Sequence, residues 1–238
     1  MTRTYVDFVS DEHFLKCVKW VCDAYLDPSL KFDKTWMQRN GVDPFKMVFD
    51  MVVRNKDLES LLDGEKTRQY DKKSGGRIGD FHQKLLGGVS GWTDLGVGDE
   101  TKVDLKKDDN TIFLELKNKY NTVNSDSLAS VRRKLEKITK DYPGSISYWA
   151  YIVEKNGSSG ESEWNYLGDN NPKVRKIWGS KIYEMITGKK DSLEKTWIAL
   201  PNAITDLISN ALPINTKDKP ELLKWFKDAF FNIKYYIS

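Results

Sequence analysis

The stretch that decides the fold is VDLKKDDNTIFLELKNK, residues 103–119. Residues 111–117 are rich in β-branched, aromatic and aliphatic side chains, a composition that favours a β-strand. The polar segment 107–110, Lys-Asp-Asp-Asn, predicts a turn, so residues 102–106 are expected to form an antiparallel partner strand. The sequence therefore predicts a β-hairpin over residues 102–117.

This hairpin brings two acids and a lysine to one surface. Because side chains alternate along a strand, Glu115 and Lys117 share a face. A turn over residues 107–110 would place Asp104 opposite Phe113 and diagonally across from Glu115, on that same face and roughly 7 Å away at most. The other face is expected to be the core side and consists of Ile112, Leu114 and Leu116.

These residue types suit the hydrolysis of a phosphodiester. Two carboxylates that face each other repel unless a cation lies between them, and hard oxygen ligands suit Mg²⁺. A bound Mg²⁺ polarises a phosphate and lowers the pKa of a bound water. A lysine on the same face can orient that water and the anionic phosphate. The same residues are also compatible with a surface hairpin of alternating charges.

The spacing of these residues, Asp104-x10-Glu115-x-Lys117, resembles the active site of the PD-(D/E)xK nuclease superfamily. One departure concerns the residue before the first acid, because Val103 holds the place where the strict pattern has a proline. The metal ligands of the pattern are present despite this change.

The resemblance extends beyond the hairpin. Residues 79–126 are similar to the central block of a group of type II restriction endonucleases that cut GG-N-CC or GG-(A/T)-CC sites. Residues 174–204 resemble the C-terminal half of this group, and residues 43–50 resemble its N-terminal part. The likeness is strongest in the middle of the chain and covers most of its length.

This resemblance implies an α/β (α+β) fold, a restriction-endonuclease-like core in which helices flank a mixed β-sheet. It implies one domain over residues 1–238, with helical N- and C-terminal additions. The expected parts are a helical N-terminal part (1–76), the catalytic core (77–155) and a mainly helical C-terminal part (156–238).

The same resemblance implies a Mg²⁺-dependent endonuclease that cuts double-stranded DNA at a short palindrome and leaves 5′-phosphates. It implies that Asp104, Glu115 and the backbone carbonyl of Leu116 bind the metal, and that Lys117 is catalytic. A homodimer and a cognate DNA methyltransferase in the same system are further expectations. Two alternatives stay open: a repair or recombination nuclease of the same superfamily, and a DNA-binding or structural module without catalysis.

Polar residues on either side of the hairpin are candidates for DNA contacts, because amides and lysines can bind base edges or phosphates. For the residues after the strand, the alternative is a polar loop that caps the next helix. For His82, the alternative is a buried, hydrogen-bonded histidine. The candidates are Asn118, Lys119, Asn121, Asn124 and Ser125 after the strand, and His82 and Gln83 before it.

Composition is compatible with a DNA-binding protein. The formal net charge is +3, and basic clusters occupy residues 66–77, 131–140 and 171–181, each of which could equally be a solvated helix face. The sequence has no apolar run of membrane-spanning length and begins without a secretory signal pattern, so a cytoplasmic location is expected. Cys17 and Cys22 are five residues apart in a predicted helix, a spacing unsuited to a disulfide.

Periodicity and capping signals predict the remaining elements. Helices are expected over residues 11–26, from Asp43-Pro44 onward, 57–70, 79–86, 125–140, 172–187, 191–210 and 218–236, and a strand over residues 145–154. A loop is expected at residues 72–76, and Pro201 is expected to break or kink its helix.

Overall fold

The protein is described by a computed structural model that covers residues 4–26, 43–96, 98–122, 124–168 and 170–231. These residues form seven α-helices and six β-strands. The helices are α1 (Asp11–Tyr25), α2 (Pro44–Arg54), α3 (Leu58–Leu86), α4 (Ser125–Asp141), α5 (Ser180–Thr187), α6 (Ser192–Leu207) and α7 (Lys219–Phe230). The strands are β1 (Trp92–Asp94), β2 (Leu105–Lys107), β3 (Ile112–Lys119), β4 (Ile146–Val153), β5 (Gly160–Glu163) and β6 (Val174–Trp178).

All six strands belong to one mixed sheet in the order β1-β2-β3-β4-β6-β5. The three inner strands β3, β4 and β6 are parallel, whereas β1, β2 and β5 join them in antiparallel pairs. Parallel neighbours need crossover connections, and α4 is the crossover between β3 and β4. The predicted mixed sheet with flanking helices is confirmed.

The hairpin of β2 and β3 forms as predicted, but its register differs by two residues. Lys106 lies opposite Phe113, and Leu105 lies opposite Leu114, so the turn occupies residues 108–111 and not 107–110. Asn110 adopts a left-handed conformation with φ of 57°, which asparagine tolerates better than most residues. A shift of two residues preserves the face on which each side chain lies.

Both faces of β3 are buried, so the prediction of a single core side was wrong. Phe113 is fully buried in a cluster with Val131 and Leu135 of α4 and with Trp149 of β4. On the other face Leu114 is also fully buried. An inner strand of a parallel region is covered on both sides because crossover helices pack on the sheet. Glu115 therefore lies in a strand whose neighbours exclude water.

The segment before the hairpin is one long helix, and the predicted loop at residues 72–76 does not form. Helix α3 runs from Leu58 to Leu86 and includes Gly75 and Gly76. Each glycine costs a helix about 1 kcal/mol relative to alanine, but local packing compensates here. Ser74 is buried, and the Arg77 guanidinium carbon lies 3.3 Å from the centroid of the Trp20 ring.

The C-terminal half also departs from the prediction. Residues 174–178 were expected to be helical, but they form β6 between β4 and β5. Because these pairings are with distant segments, local periodicity does not reveal them. Helix α6 continues through Pro201, so Pro201 does not break the helix, and the kink predicted as the other outcome stays a prediction. The predicted strand at 145–154 and the helix at 125–140 are confirmed with small changes of boundary.

The chain divides into two compact units, which are described separately. One comprises residues 1–19 and 79–238 and contains the sheet, and the other comprises Trp20–Ile78. Within the second unit, Asp43 caps α2 by accepting hydrogen bonds from the backbone of Phe45 and Lys46. No helix among the described residues is both long enough and apolar enough to cross a membrane.

Candidate active site

The two acids of the hairpin lie side by side across the β2–β3 ladder. The regular pairing of β2 with β3 ends at Leu105 opposite Leu114, and Asp104 lies immediately before it in the chain. The backbone N–H of Asp104 donates to the carbonyl of Leu114 at 3.0 Å. The backbone N–H of Leu116 donates to Asp104 Oδ2 at 2.6 Å. These backbone contacts fix the Asp104 carboxylate beside β3.

Lys117 lies on the same face and contacts both acids. Its Nζ is 2.8 Å from Glu115 Oε1 and 3.6 Å from Asp104 Oδ2. Alternation along β3 explains this placement, because residues 115 and 117 point to the same side. The structure therefore brings together the three residues that the sequence proposed as catalytic.

A fourth charged residue, Lys134 of α4, was not among the predicted site residues. Its Nζ forms an ion pair with Glu115 Oε2 and donates to the carbonyl of Lys102 at 2.6 Å. The only sequence signal was its membership of the basic cluster at residues 131–140, which does not distinguish it from its neighbours. Packing of α4 against the sheet brings it to the site.

The electrostatics of the site reflect close packing of like and unlike charges. Burial raises the pKa of Asp104, and repulsion from Glu115 raises it further, whereas Lys117 and the Leu116 amide lower it. Burial lowers the pKa of Lys117, but attraction to Asp104 and Glu115 outweighs this effect, so the pKa lies above its usual value. Glu115 therefore disfavours the charged form of Asp104, and the ammonium group of Lys117 opposes this effect.

This donor set fits a hard divalent cation. Two adjacent carboxylates provide oxygen ligands, and Mg²⁺ commonly binds through one or two carboxylates while it keeps several waters. The described residues contain no group of three or more acidic, histidine or cysteine side chains that could hold a metal. A cation that needs four protein side chains, such as structural Zn²⁺, is therefore a poorer match to Asp104 and Glu115.

Val103, which replaces the proline of the strict motif, has a packing role. It is buried in the cluster that contains Phe113, Leu135 and Trp149. Lys102 before it has φ of 56°, so the backbone turns sharply just before Asp104. An apolar anchor at 103 fixes the start of the acidic segment without a proline.

The two candidates before the hairpin make contacts inside the protein. His82 Nδ1 lies 2.7 Å from the hydroxyl of Tyr183, and burial lowers the pKa of His82 to about 4. The Gln83 amide donates to Asp94 Oδ1 at 2.7 Å and lies 3.4 Å from the carbonyl of Asp104. His82 is thus a half-buried histidine that is hydrogen-bonded inside the protein, and Gln83 connects α3 to the backbone of the site.

The candidates after β3 lie next to the active-site strand and before α4. Asn118 is half-buried, whereas Lys119, Asn121 and Asn124 are exposed. The Asn124 side chain caps α4 by accepting from the backbone N–H of Ser127 at 2.9 Å, as the alternative of a polar loop that caps the next helix predicts for this residue. Their DNA contacts remain a prediction, and so does that of Ser125 in the first turn of α4.

Comparison with known proteins identifies the family of this chain. The family model described as Eco47II restriction endonuclease matches residues 6–209. The chain belongs to the Eco47II restriction endonuclease family. Two relatives extend the match over nearly the whole chain. The type II restriction enzyme Sau96I of Staphylococcus aureus is 32% identical over 87% of this chain and 83% of its own length. The type II restriction enzyme Eco47II of Escherichia coli is 30% identical over 94% of this chain and 98% of its own length.

Membership of the Eco47II family confirms the resemblance drawn from the sequence. The protein is an enzyme, a type II restriction endonuclease that binds and cleaves double-stranded DNA at specific sites. Of the sequence motifs, the acids and lysine of the hairpin are the residues whose chemistry suits this reaction.

Proposed function

We propose that the protein is a Mg²⁺-dependent endonuclease that cuts both strands of a short palindrome of the GGNCC type and leaves 5′-phosphates. The observation that carries this proposal is the approach of Asp104, Glu115 and Lys117 on one face of the hairpin. The alternative as a DNA-binding module without catalysis does not explain why the buried Glu115 and the half-buried Asp104 converge on the same lysine. The alternative as a repair nuclease of the same superfamily is distinguished by its products.

Each residue has a role that follows from its place. Asp104 and Glu115 would hold the cation, together with the backbone carbonyl of Leu116. When bound, Mg²⁺ supplies a water of lowered pKa and neutralises charge on the phosphate. Lys117 lies close enough to both acids to orient the attacking water and to stabilise the negative charge that develops on the phosphate.

The test is digestion of a plasmid of known sequence with Mg²⁺ or with EDTA, followed by sequencing of the ends. Discrete fragments with one palindrome at every end support the proposal, and structure-selective nicking would favour the repair nuclease. Lys117→Ala is expected to lower single-turnover cleavage by roughly 10² or more and to retain specific DNA binding. Lys107→Ala, an exposed lysine of the same hairpin, is the matched control. Unchanged cutting by Lys117→Ala would contradict its role.

The symmetry of the proposed target implies a homodimer, because two cuts related by a two-fold axis are made most simply by two chains on that axis.

Helix α2 offers a suitable surface for the contact between the two chains. It has no buried residue, and five apolar side chains on it are at least 60% exposed. These are Phe45, Val48, Phe49, Val52 and Val53. In α7, by contrast, Phe226 and Phe230 are buried and Trp225 is exposed.

We therefore place the self-complementary contact on α2. Phe49→Glu is expected to dissociate the dimer in sedimentation velocity, because a charge is buried without a partner. Trp225→Glu, on the exposed side of α7, is expected to leave the assembly unchanged. A dimer that survives Phe49→Glu but dissociates with Trp225→Glu would move the interface to α7.

Two further expectations belong to this proposal. A restriction enzyme needs a DNA methyltransferase of the same specificity to protect host DNA, without contact between the two proteins. Both would work where the chromosome lies, in the cytoplasm. Host DNA methylated at the mapped palindrome, and resistant to the enzyme, would support this part of the proposal.

A further inference from the structure

Lys134 is tied to both of the segments that carry the acids. Its Nζ contacts Glu115 Oε2 directly and also donates to the carbonyl of Lys102 at 2.6 Å. Lys102 lies two residues before Asp104. One ammonium group on α4 therefore connects β3 to the sharp backbone turn that leads into the other acid.

The contact lies in a region that excludes much of the solvent. The Lys134 side chain is 24% exposed, and the Glu115 side chain is 7% exposed. Lys137, one helical turn further along α4, is 74% exposed, and its partner Asp141 is also open to solvent. Exposed ion pairs such as Lys137–Asp141 contribute little to stability. Breaking an ion pair that holds a buried carboxylate, by contrast, destabilises a protein strongly. Lys134 differs from Lys137 in this respect.

The carboxylate of Glu115 contacts two lysine ammonium groups. Lys117 approaches Oε1 at 2.8 Å, and Lys134 approaches Oε2, so each carboxylate oxygen has its own ammonium. A divalent cation that binds Glu115 would compete with these ammonium groups for the same oxygens. Lys117 and Lys134 are not equivalent. Lys117 is the lysine of the Asp-x10-Glu-x-Lys motif on β3 and also contacts Asp104, whereas Lys134 reaches the site from α4.

We propose that Lys134 is a positioning residue that holds Glu115 before the metal binds, exchanges with the divalent cation at Oε2 and thereby sets the metal affinity. This inference rests on the metal site proposed above. A like charge beside the site weakens the binding of a cation. Removal of Lys134 is expected to destabilise the metal-free protein, because Glu115 then loses one of its two ammonium partners.

The experiment measures metal binding without catalysis, with Ca²⁺ titrated calorimetrically into the full-length protein. Lys134→Met is expected to bind Ca²⁺ roughly ten-fold more tightly than wild type, since a nearby positive charge is lost. Lys134→Arg keeps the charge and is expected to stay within about two-fold of wild type. Lys137→Met, on the exposed side of α4, is the matched control and is expected to match wild type.

Thermal unfolding provides a second measurement. The melting temperature of Lys134→Met is expected to fall without metal and to recover more than that of wild type when Ca²⁺ is added. If Lys134→Met does not fold, Lys134→Gln tests the same loss of charge. An affinity of the neutral variant that equals or falls below that of wild type would overturn the role of Lys134.

The outcomes separate this inference from the proposed function. One outcome is that wild type binds Ca²⁺, that Asp104→Asn abolishes this binding and that Lys134→Met leaves it unchanged. In that case the metal site stands and the inference about Lys134 is wrong. If wild type binds no Ca²⁺ and cuts DNA equally in EDTA, the metal site itself is wrong. If Lys134→Met binds Ca²⁺ as wild type does but cleaves more slowly at saturating Mg²⁺, Lys134 acts on the DNA or the transition state instead.

Discussion

Gly87→Ala is expected to damage both the stability and the activity of the protein, because the end of α3 lies directly against β1. A Cβ at Gly87 would lie 2.4 Å from the Cβ of Asp94 and 2.8 Å from its backbone nitrogen. Ordinary contacts between such atoms are about 3.5 Å or longer, so the two segments would have to separate by about 1 Å. The backbone of Asp94 cannot rotate away as a flexible side chain could.

The magnitude follows from this geometry. Overpacking of a tight site costs typically about 1–3 kcal/mol. For a protein of this size, 1 kcal/mol corresponds to roughly 2–4 °C in melting temperature. A loss of about 2 kcal/mol therefore lowers the melting temperature by roughly 4–8 °C. The matched control is Gly75→Ala in the interior of α3, where an added Cβ meets nothing within 4 Å and helix propensity raises stability by about 1 kcal/mol.

The displacement also reaches the active site. Gln83 near the end of α3 donates to Asp94 at 2.7 Å and lies 3.4 Å from the Asp104 carbonyl, and β1 pairs with β2. Misplacement of a catalytic group by about 1 Å costs on the order of 10²-fold in rate. The assays are differential scanning calorimetry and single-turnover cleavage below the melting transition. A Gly87→Ala protein as stable as wild type would refute this reasoning.

Three further predictions concern other parts of the chain. The pKa of His82 is about 4 in the folded protein and roughly 6.5 in the unfolded chain. The unfolded state therefore binds more protons between these values, and the free energy of unfolding falls by about 3 kcal/mol as the pH drops from 6.5 to 4. Urea midpoints check this, and a His82→Gln variant with an equally steep decline would contradict it. Asn124→Ala is expected to cost about 1 kcal/mol through the lost cap of α4, against no change for exposed Asn121→Ala. Burial raises the pKa of Cys17 to about 11, so alkylation of Cys17 at pH 8 is expected to be slow in the native protein. Alkylation of the native protein as fast as in urea would contradict this burial.

The grouping of Asp104, Glu115 and Lys117 could be predicted from the sequence because the three residues are close together in the chain. Asp104, Glu115 and Lys117 lie within one hairpin, where alternation along a strand and a short turn decide which side chains share a face. An error of two residues in register left that face unchanged. Helices α1, α2 and α4 were also predictable, since their caps and apolar periodicity are encoded in consecutive residues.

Tertiary contacts decided what the sequence pattern left open. Val174–Trp178 became a strand because β4 and β5 supply hydrogen-bonding partners that are distant in the chain. Residues 72–76 stayed helical because packing of Ser74 and Arg77 outweighs the propensity of two glycines. Lys134 joined the active site because α4 crosses from β3 to β4 over the face that carries Glu115. Local propensities amount to about 1 kcal/mol per residue, and the burial and pairing of distant segments exceed this amount.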